Sequence, residues 1–294
     1  FWFWDPVENA SLLPWLTASA LLHTIVMTEK NHTFLNWTLL LSIITFSLSL
    51  LGTFLVRSGV LISVHAFAND PTRGIFIIIL LAIVFGFGIG MFLKNYKKFS
   101  LTDEIMLLSR EGAISLNNIF LLSISFTILV GTIFPLFAGV LFDSKISVGA
   151  PFFNSILSPI IVPLMLGMIL GPYLNWRKDD FYKILERLKL LLLLLLFLGI
   201  LVWYLNHKGP VIAIVFFILS LWVIASSIFE LYNHVFQNIK KKKRKIFNIP
   251  IKILSQTFAH MGIAFLIFGA TGSSVLKEEK IQFQVKGEII EINN

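Results

Sequence analysis

The stretch GIFIIILLAIVFGFGIGMFL (residues 74–93) runs for twenty residues without a charge, a proline or a side-chain amide. A single α-helix of that length rises about 30 Å, the thickness of a bilayer's hydrocarbon core. No water is present at that depth to bond exposed backbone groups, so such a run reads as a membrane-crossing helix that satisfies its own N–H and C=O groups. Outward from it, similar runs recur along the 294 residues, giving eight spans at about 10–28, 36–57, 74–93, 113–135, 153–175, 188–206, 210–236 and 253–275. The composition agrees: 56% of residues are hydrophobic and 14% charged, with a mean hydropathy of +0.85. A soluble domain needs far less apolar material to fill its core. The expected fold is an all-α polytopic membrane bundle with about eight transmembrane helices over residues 1–275. Residues 276–294 switch to strand-like alternation, the expected start of a β segment outside the membrane.

The loops alternate in charge. Of the 24 lysines and arginines, only Arg57, Arg73, Lys145, Lys208, Lys277, Lys280 and Lys286 fall on the side that carries the N-terminus. The positive-inside rule places the other side in the cytoplasm and the opening residues outside, in the periplasm or an equivalent compartment. The run KKKKRK (240–245) lies between two spans, so it reads as a topological signal with anionic lipid nearby; no nucleic-acid partner is expected. The fifth span carries Pro159, Pro163 and Pro172 and is expected to bend or break. Cysteine is absent, which removes disulfides, thiolate nucleophiles and thiolate ligands together, so any metal falls to His, Met or carboxylates.

The chain opens FWFWDPVENASLLPW (1–15), in mid-motif and without a cleavable leader pattern, as a fragment would. Asp5-Pro6-Val7-Glu8 fits a helix start, with Asp5 as the cap and Pro6 where no amide hydrogen is missed. Capping does not account for Trp2, Trp4 and Trp15. Either these form an interfacial aromatic belt, or they form a flat apolar platform at the outer surface on which a planar ligand such as a porphyrin stacks.

Three histidines bear on that choice. His23 lies in the first span and His260 in the last, in QTFAHMGIAFLIFGATG (256–272). Counting inward from opposite faces puts His23 about 20 Å deep and His260 about 10 Å deep, one common level in a core of about 30 Å. Paired imidazoles without thiolate or carboxylate suit a b-type heme better than zinc. The alternative is that each bonds a neighbouring hydroxyl, Ser19, Thr24 or Thr257. His65 lies in LVRSGVLISVHAFANDPTRG (55–74), on the outer side between Arg57 and Arg73, which offers one axial nitrogen and cations for propionates. The bland reading there is an interfacial loop with snorkelling arginines. His32, His207 and His234 lie near loops and are not expected to be ligands.

The opening motif, the segment LGTFLVRSGVLISVHAFANDPTRG (51–74) and the stretches SREGAISLNN (109–118) and SVGAPFFN (147–154) resemble the CcmF/NrfE branch of the WWD family of heme-handling proteins. The resemblance implies a heme lyase subunit of cytochrome c maturation. It implies partners too: a CcmE-type heme chaperone, a CcmH-type subunit and an apocytochrome c whose CxxCH cysteines receive the heme. By motif position it implies that His23 and His260 ligate a structural heme b and that His65 ligates the incoming, substrate heme under the WWD region. Residues 1–15 would be the WWD-type motif, 58–73 the periplasmic histidine segment and 276–294 the start of a further periplasmic domain. By itself this segment would be inactive. Two rivals remain: a membrane b-type cytochrome, which has no need of a tryptophan platform, and a secondary transporter, which predicts inverted repeats and midplane acids that the sequence does not display.

Overall fold

The computed structural model describes residues 4–31, 34–61, 63, 70–99, 105–143, 146–206, 210–242 and 249–275. Among the described residues eight helices follow one another: α1 (Pro6–Asn31), α2 (Leu35–Arg57), α3 (Pro71–Asn95), α4 (Arg110–Phe142), α5 (Ala150–Leu170), α6 (Phe181–Asn206), α7 (Val211–Lys242) and α8 (Ile251–Val275). Short 3₁₀ turns extend α3 over Tyr96–Phe99 and α5 over Gly171–Tyr173. Each expected span falls on one helix. Seven of the helices are long and apolar enough to cross a membrane, whereas the apolar part of α6 is shorter, Leu188–Tyr204. No strand occurs among the described residues, and the expected β segment at 276–294 lies outside them.

Local chemistry fixes the helix starts. The Asp5 carboxylate accepts the Val7 N–H at 3.0 Å, Asp70 caps α3 by accepting the Arg73 N–H at 3.2 Å ahead of Pro71, and the Ser109 hydroxyl accepts the Gly112 N–H at 3.0 Å. The prolines of α5 behave differently from one another. The helix runs through Pro159 and Pro163 and gives way to a 3₁₀ turn only at Gly171, just before Pro172. An interior proline forfeits one backbone bond and is tolerated in a bundle that buries the freed carbonyl.

The chain divides into two compact units, Trp2–Lys189 and Leu190–Asn294. In the first, α1 packs on both α2 and α4, and α5 packs on α4. Its core joins Leu13, Leu16 and Ala20 of α1 to Leu41 and Leu48 of α2, Ile124 and Ile128 of α4, and Phe153 and Leu157 of α5. The α1–α2 approach depends on Gly52, where a Cβ would lie 2.9 Å from the Ala10 carbonyl oxygen. In the second unit α7 lies against α8. Phe217 meets Phe268 edge to face at 5.0 Å, and the Gln256 amide donates to both oxygens of Glu230 at 3.2 and 3.1 Å.

Candidate functional site

Trp4 precedes α1 with φ of 57°, in the left-handed region that a bulky side chain seldom enters. Three contacts hold it there. Its indole lies flat on Phe153, centroids 4.7 Å apart and planes 17° from parallel. The indole N–H donates to Asn154 Oδ1 at 2.9 Å, and the Trp4 carbonyl accepts from Asn9 Nδ2 at 3.2 Å. Asn9 is buried and also donates to Thr132 Oγ1 at 3.1 Å, which ties α1 to α4. One face of the Trp4 ring is therefore occupied by protein, and the Phe153 behind it sits on bare backbone: a Cβ at Gly131 would come within 2.7 Å of Phe153 Cε1. Strained geometry kept by several independent contacts is characteristic of positions that a function needs.

Asp5, the cap of α1, also accepts the Ser63 hydroxyl at 2.5 Å, which ties Ser63, after α2, to the opening motif. The Asp70 N–H donates to the Arg57 carbonyl at 2.9 Å. Arg73 forms an ion pair with Asp70 at 3.1 Å on an exposed surface, and Arg57 ends α2 half-buried. Trp15 lies nine residues beyond Pro6 in α1, about 13 Å along the helix, and is 48% exposed. Trp2 and His65 lie outside the described residues.

His23 is half-buried, and its Nδ1 donates to the Ser19 backbone carbonyl at 2.7 Å, one turn back on α1. The neighbouring hydroxyls donate to their own helices: Ser19 to the Trp15 carbonyl, Thr24 to that of Leu21 and Thr257 to that of Ile253. A carbonyl on Nδ1 fixes the tautomer and leaves Nε2 with its lone pair, the form in which imidazole ligates a metal. His260 is half-buried on α8, in the second unit. Among the described residues no three His, Asp or Glu side chains gather into a site for a bare ion. Single imidazoles suit an iron whose equatorial positions are already filled, as in a porphyrin. The His23 imidazole, with its Nδ1–H bonded to a carbonyl, is of the kind that fits a heme.

Sequence reasoning missed the walls of these positions. Phe153 and Asn154 stand about 150 residues from Trp4 and were marked only as part of SVGAPFFN. At the opposite end of the first unit, SREGAISLNN clasps the segment after α5: Arg110 N–H donates to the Asn175 carbonyl at 2.9 Å and Asp179 N–H to the Leu108 carbonyl at 2.8 Å, while Glu111 Oε2 accepts the Arg177 N–H at 2.8 Å. Over the Trp176 ring lie Lys30 Nζ, 5.7 Å from its centroid, and Arg110 Cζ, at 5.2 Å. A tryptophan in a loop carries no signal of its own. Glu230 is an acid within α7, but nineteen residues from its start, about 28 Å along, it lies toward the Lys242 end and not at midspan.

An α-helical membrane bundle with a buttressed tryptophan at one end and an oriented imidazole inside defines a class of protein, and the comparisons agree with it. Residues 1–62 match the model of the Cytochrome C assembly protein family. The chain is 37% identical over 292 residues to a cytochrome c-type biogenesis protein, ccl1, of Rhodobacter capsulatus, covering 99% of this chain and 44% of that one. It is 36% identical to the cytochrome c-type biogenesis protein CcmF of Escherichia coli, over 100% of this chain and 44% of the relative. A solved structure titled Cytochrome c Heme Lyase CcmF superposes with a TM-score of 0.69 at 26% identity, covering 93% of this chain and 40% of that one. Over nearly its whole length the chain is similar to cytochrome c-type biogenesis proteins named ccl1, CycK, CcmF and NrfE. It spans less than half the length of the relatives it matches.

Proposed function

We propose that this chain is the heme-handling membrane segment of a cytochrome c heme lyase, set in the bacterial inner membrane with the Trp4 end in the periplasm. In this reading it receives heme from a CcmE-type chaperone and, with a CcmH-type subunit, attaches it to the CxxCH cysteines of an apocytochrome c. His23 and His260 are the axial ligands of a heme b, His65 ligates the incoming heme, Trp2, Trp4, Asp5 and Trp15 serve its platform, and Arg57 and Arg73 stand near its propionates. The observation that carries the reading is His23: with Nδ1–H committed to the Ser19 carbonyl at 2.7 Å, its Nε2 is the ligating nitrogen.

A heme held by these residues would supply the redox chemistry of its iron, while the addition of a cysteine S–H across a vinyl group consumes no electrons. The chain's own residues orient and position. Phe153, Asn154 and Asn9 hold Trp4 rigid, which removes the ordering cost that a mobile ring would add each time a planar ligand stacked on it. Asp5 holds the outer segment through Ser63, the nearest described residue to His65 in the sequence. No cysteine competes for the vinyl groups, so both thioether sulfurs come from the apocytochrome.

The test is an absorbance spectrum of the purified full-length protein beside its His23→Ala and His260→Ala variants. Loss of the reduced α-band in both is expected; unchanged heme content in both removes the internal heme. For the outer ligand, His65→Ala should abolish c-type cytochrome formation in cells, and normal formation would remove His65 from the site.

A further inference from the structure

Two cations gather on one aromatic ring beneath His23. Lys30 and His23 are seven residues apart on α1, a rotation of about 700°, which returns to the same face within about 20° and about 10 Å further along the axis. There Lys30 Nζ lies 5.7 Å from the Trp176 centroid, and Arg110 Cζ, from the first residue of α4, lies 5.2 Å from it. The indole face attracts both charges and restrains two long side chains that would otherwise spread into solvent. Trp176 is fixed in turn, because Asn175 and Lys178 on either side of it are tied down: the Asn175 carbonyl accepts the Arg110 N–H, the Asn175 N–H donates to Asp179 Oδ2, and the Lys178 N–H donates to the Trp176 carbonyl. Three acids lie in the same region: Glu111 accepts the Arg177 N–H, the Asp179 carboxylate takes the Asn175 and Asp180 amides, and the Asp180 carboxylate accepts the Tyr182 N–H.

A heme ligated by His23 brings two propionates. Leaving carboxylates in hydrocarbon is costly, so they must point to whichever end of the bundle lies nearer. Seven residues separate His23 from Lys30, against seventeen back to Pro6, the first residue of α1. The Lys30 end is nearer, and it presents two positive charges to two negative ones. We propose that Lys30 and Arg110, held on the Trp176 ring, form the propionate-binding site of the heme whose iron His23 ligates. This rests on His23 being that ligand.

The test uses full-length protein stripped of heme and refilled with iron protoporphyrin IX or with its dimethyl ester, which lacks both carboxylates. The native protein should prefer the free acid by about tenfold or more, a margin consistent with charge-assisted hydrogen bonds to carboxylates. Lys30→Met with Arg110→Gln should bind the two porphyrins alike, Trp176→Leu should show a reduced preference, and Lys30→Arg should keep it. If the double variant fails to accumulate in membranes, Lys30→Met alone, at an exposed side chain, carries the comparison. A retained native preference in these variants overturns the proposal, including the case where they shed only anionic lipid. His23→Ala separates the two assignments: it should bind neither porphyrin, and if it binds both normally the His23 ligand reading is what fails.

Discussion

The indole of Trp4 and the phenyl ring of Phe153 are stacked, 4.7 Å between centroids and 17° from parallel, across 149 positions of sequence. Phe153 is almost completely buried while Trp4 is only half-buried. The buried ring is the wall and the half-buried ring is the surface it presents. Phe153→Ala should therefore cost about 3–5 kcal/mol of stability through the cavity it leaves, and it should also free Trp4. Thermal melts of the full-length protein would report the first effect and Trp4-dependent fluorescence quenching by a soluble quencher the second. Unchanged quenching would show that Phe153 does not hold the ring.

Asn154→Ala separates rigidity from packing. It removes the acceptor of the Trp4 N–H and no core volume, so stability should drop by only about 1 kcal/mol. Output of c-type cytochromes should fall by more than that small loss explains, because the indole gains freedom to rotate. Output unchanged in cells that accumulate the variant normally would mean that the orientation of Trp4 is immaterial.

Gly131 is the third member of this stack, since a Cβ there would approach Phe153 Cε1 to 2.7 Å and Phe152 Cε1 to 2.8 Å. Gly131→Ala should destabilise by about 1–3 kcal/mol, the usual cost of overpacking. The double variant Gly131→Ala, Phe153→Leu should lose less than the sum of its parts, because the smaller side chain yields the space. Strict additivity in a double-mutant cycle would show that the two positions are not coupled.

The helices were legible because twenty uncharged residues can do little else than cross a membrane. Asp5 was legible as a cap from its place before Pro6, and His23 as an imidazole within an apolar helix from its place in the first span. Sequence does not record which hydrogen-bond partner a side chain takes. Ser19 was a candidate neighbour of His23 by its hydroxyl, and it is the backbone carbonyl that accepts. Likewise α5 runs through Pro159 and Pro163, since the cost of a proline depends on whether the surrounding helices cover the freed carbonyl. Phe153 and Asn154 could not be found from the Trp4 motif at all. Contacts across 150 positions are made by the fold, and the local pattern at either end is that of an ordinary helix start.

Gly112 shows how closely the loop before α4 is folded on that helix: a Cβ would fall 2.4 Å from the Leu107 carbonyl oxygen and 2.5 Å from that of Met106. Both obstacles are backbone, so no side chain can swing aside. Gly112→Ala should displace the turn that Ser109 caps and with it the bonds from Arg110 and Asp179 to the segment after α5, at a cost of several kcal/mol summed over the lost bonds. The full-length variant should accumulate poorly in membranes and show early proteolysis in the loop between α5 and α6. Normal accumulation with native protease resistance would mean that the turn relaxes without disturbing the clasp.

Gln256 and Glu230 offer a test within the second unit alone. The amide donates to both carboxylate oxygens, at 3.2 and 3.1 Å, and a carboxylate deprived of a donor inside a helical bundle is costlier than a neutral amide in the same place. Gln256→Leu should therefore destabilise the α7–α8 pair by about 1–3 kcal/mol, whereas Glu230→Gln, which keeps an acceptor for the same amide, should lose less. Combining them tests the cause, because Glu230→Gln should soften the penalty of Gln256→Leu by removing the charge that needed the donor. Unfolding midpoints of the four proteins in detergent decide it: if the double variant is as unstable as the two losses added together, the charge on Glu230 is not what makes Gln256 necessary.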